Sequence, residues 1–155
     1  MRRREQEITD PAELRRILRE ARVCRLAMSD ADGPYLVPLT FALDGDDLIL
    51  HSARAGRKIE ALRRSPAVCF EVEEGVEVAP AATACDFSMR FRTVIGFGDV
   101  EFVEDRAERA RLLALFAPRY GAPGDPLPEV EIQRTCVLRV RVRELGGKCS
   151  PAPGA

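Results

Sequence analysis

From Leu14 onward the apolar positions recur three and four residues apart, at Leu14, Ile17, Leu18 and Ala21, the spacing of a helix with one buried stripe. Just ahead of them, Asp10-Pro11-Ala12-Glu13 supplies a capping carboxylate, a proline suited to the first helical position and the acidic residue of a capping box. Val23 to Met28 then reads as a short strand, and Ser29-Asp30-Ala31-Asp32-Gly33-Pro34 as a turn. Strict alternation follows. Tyr35, Val37, Leu39, Phe41 and Leu43 share one face of an extended run, Asp44-Gly45-Asp46-Asp47 turns the chain, and Leu48 to Ser52 returns as a strand.

A short helix is predicted over Gly56 to Arg64, with Ile59 and Leu62 inward, and Pro66 stops it. Val68, Phe70 and Val72 alternate as the next strand, while Gly75 to Phe87, rich in Ala, Pro and Gly, suggests a looser excursion. Met89, Phe91, Thr93, Ile95 and Phe97 resume a long strand in which Gly96 and Gly98 predict a bend or bulge. A second capping box, Asp105-Arg106-Ala107-Glu108, opens a helix through about Tyr120 whose Ala110, Leu113 and Phe116 or Ala117 face inward, with Pro118 fraying its end. Gly121 to Pro128 reads as a loop, and Cys136, Leu138, Val140 and Val142 as a last strand. Six or so strands with tight turns and three helices predict a mainly β fold, an antiparallel barrel with peripheral helices. The segment from Gly146 onward reads as disordered, so a single domain over residues 1–148 and a tail over 149–155 are expected.

Composition narrows the choices. The chain has 155 residues, 46% hydrophobic and 32% charged, enough for one substantial core and typical of a globular protein. With 24 basic and 25 acidic residues it has no general attraction for nucleic acid, so any anion site must be local. No apolar run approaches the roughly 20 residues that cross a bilayer, and Met1-Arg2-Arg3-Arg4 leads into Glu5-Gln6-Glu7 rather than an apolar segment. A cytoplasmic protein without a membrane partner is the expectation. Five scattered cysteines with no Cys-x-x-Cys pair support neither a disulfide framework nor zinc, and Cys69 and Cys136 read as small hydrophobes within strands.

The chemistry concentrates at His51-Ser52-Ala53-Arg54-Ala55-Gly56-Arg57-Lys58-Ile59, where a strand end, a hydroxyl, a glycine and two cations lead into a helix. Such an arrangement can bind an anion, because free N–H groups and the positive end of the dipole meet at a first helical turn. A cationic helix on a solvated surface has the same pattern. His51 is the only histidine, which excludes a histidine pair or an all-histidine metal site. Arg90 and Arg92, and likewise Arg139, Arg141 and Arg143, read as solvated basic faces. There is no Walker loop, no Gly-x-Gly-x-x-Gly opening a helix and no Ser-His-Asp order.

Several segments, in order, resemble the pyridoxamine 5′-phosphate oxidase-like FMN-binding split barrels, and within them the nitroimidazole-resistance flavoproteins. They are Cys24-Arg25-Leu26-Ala27-Met28, Pro34 to Leu39, His51-Ser52-Ala53 with Gly56-Arg57-Lys58-Ile59, Val68 to Val72, and Arg92 to Gly98. The resemblance runs from about Glu7 to Lys148. It implies FMN with its ring against Val37-Pro38-Leu39, His51 and Ser52 beside the flavin and its ribityl phosphate, and Arg57 and Lys58 on the phosphate. Arg92 and Thr93 would hydrogen-bond the flavin from a neighbouring strand. A homodimer with FMN at its interface is also implied, as is a flavin-dependent oxidoreductase acting on a small-molecule acceptor, with His51 the candidate catalytic residue. The chain lacks tryptophan and the basic, tryptophan-containing end of the oxidases, so true pyridoxamine phosphate oxidase activity is not expected. The alternative is a non-catalytic split barrel binding flavin, a deazaflavin, or haem through His51.

Overall fold

The computed structural model describes residues 4–124 and 126–150. Its strands are β1 (Glu7–Ile8), β2 (Cys24–Asp30), β3 (Gly33–Leu39), β4 (Phe41–Asp44), β5 (Asp47–Ala53), β6 (Ala67–Ala79), β7 (Ser88–Phe102) and β8 (Thr135–Cys149). The helices are α1 (Pro11–Glu20), α2 (Arg57–Arg64), α3 (Arg106–Leu113), α4 (Phe116–Tyr120) and α5 (Glu129–Arg134). All ladders are antiparallel and follow the order β3-β2-β6-β7-β8-β5-β4, with β1 added alongside β8. β3 and β4 are consecutive in the chain yet lie at opposite ends of this path, so the sheet curls round without closing its ladder there. The fold is mainly β, an open split barrel with helices around it.

The alternating run from Tyr35 to Leu43 is interrupted at Thr40, where its partner changes from β2 to β5. Its apolar face survives the exchange: Phe41 is fully buried, and Tyr35, Val37, Leu39 and Leu43 pack partly buried against the same core. α1 lies over that core through Leu14, Ile17 and Leu18, capped by the Asp10 carboxylate accepting the Ala12 N–H at 2.9 Å. No helix among the described residues is long and apolar enough to cross a membrane.

Four expectations change. β6 runs straight through Gly75 to Ala79, because a bulge between Glu74 and Glu77 absorbs the glycine at φ +59°. The helix expected from Asp105 to Tyr120 divides into α3 and α4. Pro118 has no N–H to donate into a continuing helix but is tolerated in the first turn of a new one, and Leu112 rather than Leu113 is the residue fully buried. Gly146 to Cys149, read as part of a disordered tail, extend β8 along β7 and β1, while residues 151–155 lie outside the described residues.

Arg139 is the fourth. It is only 9% exposed and donates to Asp44 at 2.8 Å, Asp47 at 3.2 Å and Glu108 at 2.6 Å. The acidic turn after β4, legible as a hairpin, is therefore also the counter-charge for a buried arginine. Arg141 and Arg143 stay exposed and pair with Glu101 and Asp99.

Candidate functional site

β5 is held by β8 up to its last pair, Ala53 opposite Thr135, after which the chain leaves the sheet and turns into α2. The turn depends on Gly56, whose φ of +116° suits only glycine, and this residue offers no side chain to cap the helix. The free N–H groups of the first turn therefore remain available to an outside acceptor. In front of them opens a cleft of about 690 Å³, within the size range of cofactor sites. Tyr35 and Leu39 of β3 line it, with His51, Ser52 and Ala53 of β5, Ala55 to Lys58 of the turn and helix, and Glu131, Arg134 and Thr135 beyond.

The two expected phosphate cations are not equivalent. Lys58 is partly buried, has no carboxylate partner among the described residues, and is pushed below its usual pKa by burial. A half-desolvated, unpaired ammonium favours an anionic ligand. Arg57 is already engaged: its guanidinium bonds the Asp30 carboxylate and stacks 4.3 Å from the centre of the Tyr35 ring. Asp30, the last residue of β2, holds Arg57 along the cleft wall.

His51 lines the same cleft. Its ring meets Phe116 of α4 edge to face, centroids 4.6 Å apart, and Nε2 lies 3.4 Å from Thr40 Oγ1. Burial first, and the Lys58 charge second, depress its pKa below the usual imidazole range. The Ser52 hydroxyl donates to the Ala53 carbonyl at 2.7 Å, which fixes the strand end.

The structure therefore brings Leu39, His51, Ser52, Arg57 and Lys58 to one cleft. Val37 instead packs into the core, and Pro38 lies exposed on the outer face opposite Arg25. Arg92 and Thr93 lie apart from it within one chain. Arg92 approaches Glu13 of α1 at 3.5 Å, and the Thr93 hydroxyl donates to Glu71 at 2.8 Å. Sequence reasoning missed Tyr35, Glu131, Arg134 and Thr135. Tyr35 was visible only as a core-facing residue. The α5 residues had the weak signal of Pro128 before Glu129 and Glu131, an acidic first turn on a helix too short to show a period.

An open split barrel with a cofactor-sized cleft at a helix N-terminus defines a class of ligand-binding barrels, and the comparisons specify which. The model of the pyridoxamine 5′-phosphate oxidase family matches residues 10–149, and the chain belongs to that family. A candidate 5-nitroimidazole antibiotic resistance protein from Bacteroides thetaiotaomicron is 30% identical, with a TM-score of 0.82 over 92% of this chain and 86% of that one. A flavocytochrome from Azotobacter vinelandii is 24% identical with a TM-score of 0.85, covering 98% of this chain and 72% of the other. A FAD and haem binding protein from Mycobacterium smegmatis is 22% identical with a TM-score of 0.84, over 95% and 74%. These last two share the fold. No protein with a curated description is similar enough in sequence to count as a match.

Proposed function

We propose that this chain is a flavin-binding oxidoreductase that reduces a small acceptor such as a nitroimidazole or quinone. The observation that carries the reading is the unpaired, half-buried Lys58 beside the uncapped first turn of α2, in a cleft whose other wall is Tyr35 and Leu39. Such a cleft suits a ligand with a phosphate at one end and an apolar ring at the other, and FMN is the smallest flavin with both. Bound flavin would supply the electron chemistry. The protein's own groups would hold the phosphate, cover the ring with Leu39, and present His51 to the acceptor. The absorption spectrum of the purified protein tests this directly. Flavin bands are expected, a Soret band would replace flavin with haem, and a colourless protein that ignores added FMN defeats the proposal.

Replacing His51 by Ala should leave the fold and most FMN binding intact but slow reoxidation of reduced flavin by an added nitroimidazole or quinone. Because its folded pKa is depressed, His51 is neutral above about pH 6.5. Any inflection it causes in the rate must lie below that pH and vanish in the variant. The stability linked to its neutral burial is likewise complete above about pH 6.5 and is lost as pH falls through the lower folded pKa. Stopped-flow reoxidation between pH 5 and 8, set beside thermal melting, separates the two. An unchanged rate with a lowered melting temperature leaves His51 purely structural.

The chain is further proposed to work as a homodimer. On the outer face, Leu36, Ala27, Cys69 and Phe97 form a cross-strand row, with Ile95 and Thr93 in the rows beside it. Leu36 is 55% exposed and Ile95 and Phe97 each 44%, a contiguous apolar patch that water disfavours. A copy docked there would carry Thr93 into the shared interface. Sedimentation equilibrium at micromolar concentration should give a dimer, and a monomer that still binds FMN tightly contradicts the shared site.

A further inference from the structure

α4 is tied down by two consecutive side chains, Arg119 and Tyr120, and a third residue of the same helix, Phe116, touches His51. A five-residue helix has no stability of its own, so these ties decide where it sits. Arg119 donates to the carbonyls of Leu18 at 2.8 Å, Arg19 at 2.9 Å and Ala21 at 2.6 Å, taking up the end of α1, and lies 4.3 Å from the centre of the Phe41 ring. Tyr120 works at the split in the barrel. β4 is the last strand of the path, so the Phe41 N–H and carbonyl that face away from β5 have no ladder partner. The Tyr120 hydroxyl accepts that N–H at 2.9 Å and shares its proton between the Phe41 carbonyl at 3.0 Å and the Arg22 carbonyl at 2.8 Å.

Both ends of this helix bear on the imidazole. Thr40, in the gap between β3 and β4, stands opposite His51 one place beyond the Phe41–Leu50 pair, and its Oγ1 lies 3.4 Å from Nε2. Tyr120 fixes the residue next to it. Phe116 and Tyr120 share one face of α4, their rings stacked with centroids 6.3 Å apart, and Phe116 in turn meets the imidazole edge to face. A histidine ring turns readily about its second torsion, which would swap each nitrogen with a carbon, and a hydrogen bond on one nitrogen sets the orientation of the other. Nδ1 has no hydrogen-bond partner among the described residues and is not shut away from solvent, so it is the nitrogen left for a ligand. We propose that Thr40, Phe116 and Tyr120 are positioning residues of the site, holding Nε2 so that Nδ1 is the nitrogen His51 offers to the acceptor.

This inference rests on the catalytic reading of His51, and the test keeps the two apart. His51 is the only histidine, so its ring nitrogens give unambiguous NMR signals whether or not flavin is bound. At about pH 8, where the depressed pKa leaves the ring neutral, one tautomer should dominate in the wild type. Thr40→Val should shift that balance and Thr40→Ser should preserve it. Tyr120→Phe, which keeps the ring and removes only the hydroxyl, should shift it the same way, as should Phe116→Leu. Reoxidation of reduced flavin by a nitroimidazole or quinone should slow by about threefold to tenfold in Thr40→Val and Tyr120→Phe, the worth of one hydrogen bond, with FMN affinity unchanged. In a His51→Ala background neither substitution should slow it further, because both act through the imidazole. A rate loss that persists in that background, or a tautomer balance that none of the substitutions moves, makes α4 and Thr40 purely structural and overturns the positioning role while His51 stands. An unchanged rate in His51→Ala itself defeats the catalytic reading and this inference together.

Discussion

Lys58→Ala should weaken FMN binding by about tenfold or more while leaving riboflavin almost unaffected. Lys58 is the unpaired cation in the cleft next to the first turn of α2, and a hydrogen bond to a charged group contributes roughly 1.5–3 kcal/mol, which sets the size of the loss. Riboflavin lacks the phosphate and so never gains that contact. Arg57→Ala should also weaken FMN, by a different route. Its guanidinium already serves Asp30 and Tyr35, and removing it leaves the Asp30 carboxylate uncompensated beside the phosphate site and the cleft wall without its stacked cover. Thermal stability should therefore drop in Arg57→Ala and hold in Lys58→Ala. Titration of both flavins against both variants checks this, and equal weakening of FMN and riboflavin in Lys58→Ala would place the cation elsewhere.

What separates these two neighbours is also what the sequence hid. Both are cations at the start of a helix, and nothing local distinguishes them. The difference comes from Asp30, 27 residues away, brought in by the β2–β3 turn. The same limit applies to Arg139: alternation placed it correctly on a strand, but its burial follows from Asp44 and Asp47 arriving through β4–β5 pairing. Local signals did well where the cause is local. The capping carboxylates Asp10 and Asp105, the apolar stripe of α1, the face from Tyr35 to Leu43 and the short helix after β5 all match the structure, although Glu13 and Glu108 bond arginines instead of closing their capping boxes. Signals failed where glycine has two meanings. Gly146-Gly147 read as a loose tail, yet a Cβ on Gly147 would lie 2.3 Å from Leu14 Cδ2, so this glycine lets helix α1 approach the strand closely. The cleft was legible on the β5–α2 side and invisible on the α5 side, because a six-residue helix shows no period.

The largest loss of stability should come from the bend in β7. Gly98→Ala places a Cβ 2.4 Å from the Arg141 carbonyl oxygen, at the point where the β7–β8 register shifts between Phe97 and Gly98. That oxygen belongs to the backbone of the neighbouring strand and cannot move aside without opening the ladder. Overpacking of this kind costs about 1–3 kcal/mol and sometimes more, and the upper end corresponds to a melting temperature lower by roughly 6–12 °C for a chain of this size. Gly96→Ala makes an even shorter contact, 2.2 Å, but to the ring tip of Phe70. A side chain can be shortened where a carbonyl cannot. Phe70→Leu should therefore recover part of the stability lost in Gly96→Ala and none of that lost in Gly98→Ala. Gly146→Ala, on the strand facing them with nothing within 4 Å of the added carbon, serves as the control and should melt close to the wild type. Thermal melts of the single and double variants decide the matter, and a Gly98→Ala protein as stable as Gly146→Ala would mean that the bulge has room the register denies.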